Sequence, residues 1–170
     1  MWGRKRDTPP TPDDDSEGSA GLRRLALSIS PEDLGLTVDG DPDRVYGVLM
    51  ETGYVAAVVT IVSLIDGTTS MYISTGGGTI GAGEHEPVAE ATRAFVAMAQ
   101  VLVGQTAPTT AFDLPGVGRV RFQLLTVGGG RTAEAAEDDL GNGRHPLSPL
   151  FHAGQDVITQ IRLLSEQQSS

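Results

Sequence analysis

Hydrophobic and polar positions along the chain change period several times, and each change predicts an element. Leu25, Leu27 and Ile29 alternate with Arg24, Ala26 and Ser28, a period of two that predicts a short strand within Leu22–Leu36. Ser30-Pro31-Glu32-Asp33 places a capping hydroxyl before a proline and predicts one helical turn ending at Gly35. Asp41-Pro42-Asp43 repeats that signal. Val45, Val48, Leu49 and Thr52 follow at helical spacing, so a helix closing at Gly53 is predicted. Val55–Ile65 is a nearly continuous, β-branched apolar run, the pattern of a strand covered on both faces. Asp66-Gly67 then turns the chain into a partner strand, Thr68–Thr75.

A glycine-rich stretch, 76–83, leads into a long helix with Glu84 and Glu86 at its start, Pro87 in its first turn, and Val88, Ala91, Phe95, Met98, Ala99 and Leu102 on one face. After a proline-containing loop over 105–116, Val117–Val127 predicts a strand with Val120, Phe122 and Leu124 on one side and Arg119, Arg121 and Gln123 on the other. Gly128-Gly129-Gly130 turns it into an antiparallel partner, Arg131–Asp138. A loop over 139–147 precedes a last helix capped by Ser148, with Leu150, Val157, Ile158, Ile161 and Leu164 as its buried stripe. The chain divides into a disordered charged tail (1–21), an N-terminal arm or edge strand (22–40), one α+β domain (41–165) and a frayed end (166–170).

Read from Asp41, the order helix, strand, Asp-Gly hairpin, strand, helix, strand, strand, helix requires an antiparallel sheet covered by helices. In this order the chain resembles the roadblock-type dynein light chain family and, more loosely, longin and profilin-like folds. The resemblance covers roughly residues 41–165 and is topological; no residue motif carries it. It implies an antiparallel sheet of four to five strands, a long helix inserted after the first hairpin and a C-terminal helix. It also implies a non-catalytic scaffold or regulatory subunit that dimerises, as a homodimer or heteromer, and contacts proteins such as small Ras-like GTPases.

Composition narrows the remaining classes. The 170 residues carry 22 acidic against 12 basic side chains, a net charge of −10. That balance disfavours a nucleic-acid surface. There is no cysteine, so disulfides, thiolate metal sites and cysteine nucleophiles are excluded. Lys5 is the only lysine against eleven arginines. This argues against a P-loop and Schiff-base chemistry and has the look of a GC-rich bacterial coding bias. No apolar run is long enough to span a bilayer and no leader is evident, so a cytoplasmic protein is expected.

Candidate chemistry is sparse. Gly76, Gly77, Gly78, Thr79 and Gly81 fit G-x-G-x-x-G between a strand and a helix, where backbone amides can cradle an anion. The strand is a hairpin arm, however, and Glu84 and Glu86 oppose a pyrophosphate. The residue-level alternative is therefore a small-molecule or nucleotide-binding regulatory domain of the PAS or GAF kind, built around 76–83. Arg119 and Arg121 lie together on the polar face of one strand and can grip carboxylates of a partner. Glu84-His85-Glu86 and the acidic run Glu134, Glu137, Asp138, Asp139 lack the spacing of a metal site. No nucleophile elbow or zinc-hydrolase motif occurs, so no metal, cofactor or catalysis is expected.

Overall fold

The computed structural model describes residues 12–38 and 40–169. Its core is a single antiparallel sheet with helices on it, an α+β fold. The strands are β1 (Val45–Gly53), β2 (Val58–Leu64), β3 (Thr69–Ile73), β4 (Gly78–Thr79), β5 (Ala107–Pro108), β6 (Arg119–Thr126) and β7 (Gly129–Ala136). They lie in the order β4-β3-β2-β1-β6-β7-β5. The helices are α1 (Pro12–Leu27), α2 (Glu86–Val101), α3 (Glu137–Gly141) and α4 (Ser148–Gln168).

The sheet has seven strands, where four to five are expected from the sequence. Two of the additional ones, β4 and β5, are two-residue edges. The third is β1, which replaces the helix predicted to follow Asp41. Its nine residues are all buried, because β1 is the central strand and both its faces are covered. A strand of that kind loses its period of two, and its apolar positions then fit a helical template by coincidence. The strand predicted at Leu22–Ile29 is instead the end of α1. Ser19 and Arg23 sit on the inner side of this helix together with Leu22, Ala26 and Leu27, so its inward stripe is interrupted by polar residues and escapes a count of apolar ones. Positions 12–21, predicted as disordered tail, belong to the same helix, whereas 1–11, including Trp2, Arg4, Lys5 and Arg6, lie outside the described residues. The single turn after Ser30 is present as a 3-10 turn over Glu32–Leu34, with Gly35 left-handed at its end. The short helix α3 occupies part of the predicted 139–147 loop, and α4 continues through Gln168, past the predicted fraying point.

The Asp66-Gly67 turn joins β2 to β3 as predicted: Gly67 takes φ +93° and the Asp66 carboxylate accepts the Thr68 N–H at 2.9 Å. The pair β6–β7 also matches the predicted strand and partner. One face of the sheet presents Val48, Met50, Ile61, Val120, Phe122 and Leu124 to Val88, Phe95 and Ala99 of α2 and Leu150, Val157 and Ile161 of α4. Gly154 of α4 comes so close that a Cβ there would lie 2.6 Å from Met50 Sδ. Three buried hydroxyls on this face, Ser63, Thr69 and Thr92, bond to one another, so their burial costs little.

The opposite face holds a smaller apolar cluster of Tyr46, Leu49, Val62, Leu64, Tyr72 and Leu125, covered by Ala26 and the partly buried Leu22, Leu27 and Ile29. The Tyr46 hydroxyl donates to the Ile29 carbonyl at 2.7 Å and holds the chain leaving α1 against the sheet. Burial, reinforced by the Glu32 and Asp33 carboxylates, raises the Tyr46 pKa above its ordinary 10.0.

Above about pH 10 the unfolded chain therefore releases this proton while the folded chain keeps it, so stability falls as pH rises through that range. Tyr46→Phe should lose about 0.5–1.5 kcal/mol near neutrality, the worth of one hydrogen bond, and should show a shallower alkaline decline than the parent. Urea midpoints compared at about pH 8 and about pH 11 check both effects.

Candidate functional site

The second face of the sheet is closed by two unlike covers. Helix α1 lies over β2 and β3 and reaches β1 through Arg23 and Ala26. The strap of residues 109–118 crosses the other half. It starts at the β7 edge, where the Thr109 N–H donates to Gly130 O at 2.9 Å, and ends beside β1, where the Gly118 N–H donates to Gly53 O at 2.9 Å. Between these ends the Phe112 ring packs against Gly130, leaving no room there for a Cβ.

A polar row runs across the sheet beneath both covers. The register sets Tyr72, Thr60, Glu51, Arg121 and Glu134 opposite one another on β3, β2, β1, β6 and β7. Glu51 is fully buried. Its Oε1 accepts from Arg23 Nε and from the Thr60 hydroxyl at 3.1 Å, and its Oε2 accepts from Arg23 Nη2 at 3.0 Å. Arg23 Nη2 also donates to Phe112 O at 2.6 Å. One guanidinium thus joins helix, central strand and strap. A buried carboxylate is tolerated only when paired and hydrogen-bonded in this way.

The arginines singled out from sequence are also engaged within the chain. Arg119 and Arg121 both pair with Glu134, at 3.5 and 2.9 Å. Arg121 Nε and Gln123 Oε1, two residues apart on the same face, are buried without hydrogen-bond partners. The glycine-rich stretch has local reasons for its glycines. A Cβ on Gly78 would lie 2.1 Å from Met71 O and one on Gly83 2.1 Å from Gly67 O, while Gly76, Gly77 and Gly81 adopt positive φ. Thr79 pairs with Met71 in β4. Glu84 lies in a 3-10 turn, His85 precedes α2, and Glu86 pairs with the exposed Arg93. Among the described residues no group of three or more His, Asp or Glu is arranged to hold a metal ion, and no helix is long and apolar enough to cross a membrane.

Two hollows adjoin beneath α1. The larger, about 420 Å³, is lined by Ser19, Ala20, Arg23 and Arg24 of α1, Val58 and Thr60 of β2, Tyr72 and Ser74 on the β3 side, and Leu114 of the strap. The smaller, about 240 Å³, shares Ser19 and Tyr72 and extends to Gly77, Gly78 and Ile80 of the glycine-rich stretch. Sequence reasoning misses this groove because the residues of α1 are expected as tail up to 21 and as a strand over Leu22–Ile29. The detectable signal was Glu51, a lone carboxylate inside the apolar stretch Val45–Gly53 that requires a buried cation from elsewhere.

A second surface feature lies at the end of the sheet where the strap meets the β1–β2 turn. Tyr54 (48% exposed), Val55 (91%), Leu114 (49%) and Val117 (64%) are brought there by the Gly53–Gly118 bond. The Tyr54 pKa is raised by partial burial and by the Glu137 carboxylate. No family model matches the chain, and no curated protein or solved structure shows significant similarity to it.

Replacing Arg23 with Ala should remove about 3–5 kcal/mol, because it leaves the Glu51 carboxylate buried beside a single hydroxyl. The double change Arg23→Met with Glu51→Leu should recover most of that loss. Urea unfolding of the three proteins measures both, and an Arg23→Ala loss below about 1 kcal/mol contradicts a buried pair.

Proposed function

We propose that the protein is a non-catalytic scaffold or regulatory subunit that acts by contact with another protein chain. The observation that carries this reading is the apolar surface of Tyr54, Val55, Leu114 and Val117, gathered from two segments at one end of the sheet. Scattered single apolar residues are ordinary on a surface, but exposed apolar residues brought to one end of the sheet by two bonded segments favour an interaction site. The two-residue edges β4 and β5 offer little backbone for strand addition, so they favour contact through side chains at the sheet end over an extended sheet. The topological resemblance to roadblock-type proteins supplies the kind of partner: a second copy of the chain, or a small Ras-like GTPase in a bacterial cytoplasm.

A second reading, a small-molecule-binding regulatory domain, is favoured by the groove beneath α1. It places the ligand between helix and sheet, with the glycine-rich stretch at one end of the site instead of at its centre.

The paired change Val55→Asp and Val117→Asp tests the contact reading. Both side chains are exposed, so the urea midpoint should shift by no more than about 0.5 kcal/mol per site. Light scattering of the parent, alone and after co-purification from its host, should show a dimer or a defined complex that the double variant fails to form. A parent that stays monomeric and partnerless counts against this reading.

A further inference from the structure

We infer that the groove beneath α1 is a binding site for a small amphiphile with a single carboxylate head; this inference rests on the ligand-binding reading. Its volume, about 420 Å³, lies within the roughly 300–1,000 Å³ of small-ligand pockets. Its lining is mixed in the way such sites are: Ala20, Val58 and Leu114 give apolar walls, and Thr60, Tyr72 and Ser74 add polar ones, with the Thr60 hydroxyl donating to Glu51 and the Ser74 hydroxyl accepting from the Val58 N–H.

The charge of the head follows from the two guanidiniums. Arg23 spends Nε and Nη2 on Glu51 and Phe112 O, and its side chain, 17% exposed, lines the groove. Arg24, the next residue on the wall, has an exposed side chain with no ion pair or hydrogen bond among the described residues. Glu51 cancels the first cation, so the described lining residues carry one positive charge in excess. That excess suits one anionic group. A polyphosphate would bring several negative charges to a chain already at −10. A carboxylate matches the planar guanidinium fork of Arg24, since Arg23 has its Nε and Nη2 donors engaged by Glu51 and Phe112 O.

The site is tested with sodium octanoate and 1-octanol as probes, measured by calorimetry and by displacement of anilinonaphthalene sulfonate fluorescence on the full chain. Octanoate should bind at least tenfold more tightly than octanol. Arg24→Gln, at an exposed position, should remove that preference while leaving octanol binding and the melting temperature unchanged. Val58→Trp, which fills the groove, should abolish binding of both; Ala20→Trp on the opposite wall serves as its check should Val58→Trp fail to fold. Equal binding of octanoate and octanol overturns the carboxylate head while leaving a ligand groove. Absence of binding by either probe overturns both the inference and the ligand-binding reading. Probe binding that survives both tryptophan variants places the ligand elsewhere and also overturns the inference.

Discussion

The buried pair between Arg23 and Glu51 is the constraint on which the second face of the sheet depends. A carboxylate at the middle of the central strand is unfavourable unless its lone pairs are satisfied. Thr60, directly opposite on β2, satisfies part of that demand; Arg121, opposite on β6, is paired with Glu134, and the rest is met by a cation from outside the sheet. Arg23 meets it and uses the same guanidinium to bind the strap at Phe112. Helix α1 has few buried apolar side chains of its own, Ala26 foremost among them. Its position is therefore set by a polar contact to a degree that α2 and α4, seated on the larger apolar cluster, do not share.

This asymmetry explains which parts of the fold were legible from sequence. Elements placed by apolar burial on one face announce themselves: α2 through Val88 and Phe95, α4 through Leu150, Val157 and Ile161, and β6 through Val120, Phe122 and Leu124. The Asp66-Gly67 turn is local chemistry and needs no tertiary information. The errors fall where tertiary context decides. Covering β1 on both faces erased its alternation, and Asp41-Pro42 supplied a false helix start. In α1 the inward positions mix Ser19 and Arg23 with Leu22, Ala26 and Leu27, so the alternation of Leu25, Leu27 and Ile29 at the helix end dominated the pattern.

The site was less legible than the fold, for a related reason. Arg119 and Arg121 stood out because a strand pattern exposed them, yet the register delivers both to Glu134. The glycines of 76–83 stood out as a motif, yet Gly78 and Gly83 answer to carbonyl oxygens of neighbouring strands. What forms the groove is a meeting of α1, β2, β3 and the strap, which no local window contains. Only Glu51, by its type and its apolar surroundings, hinted that a polar centre lay on that face.

The position of β1 has a consequence for how the chain assembles. Its partner on one side, β2, follows after a four-residue turn, but its partner on the other side, β6, arrives only after β3, α2 and the strap. Local hairpins form quickly and distant pairings wait on loop closure. The sheet is thus two hairpin units zipped along one late seam, Val45–Thr52 against Val120–Thr126. Until that seam closes, one long edge of the nine-residue strand β1 stays unpaired, and the Gly118–Gly53 bond that ends the strap forms at the same seam.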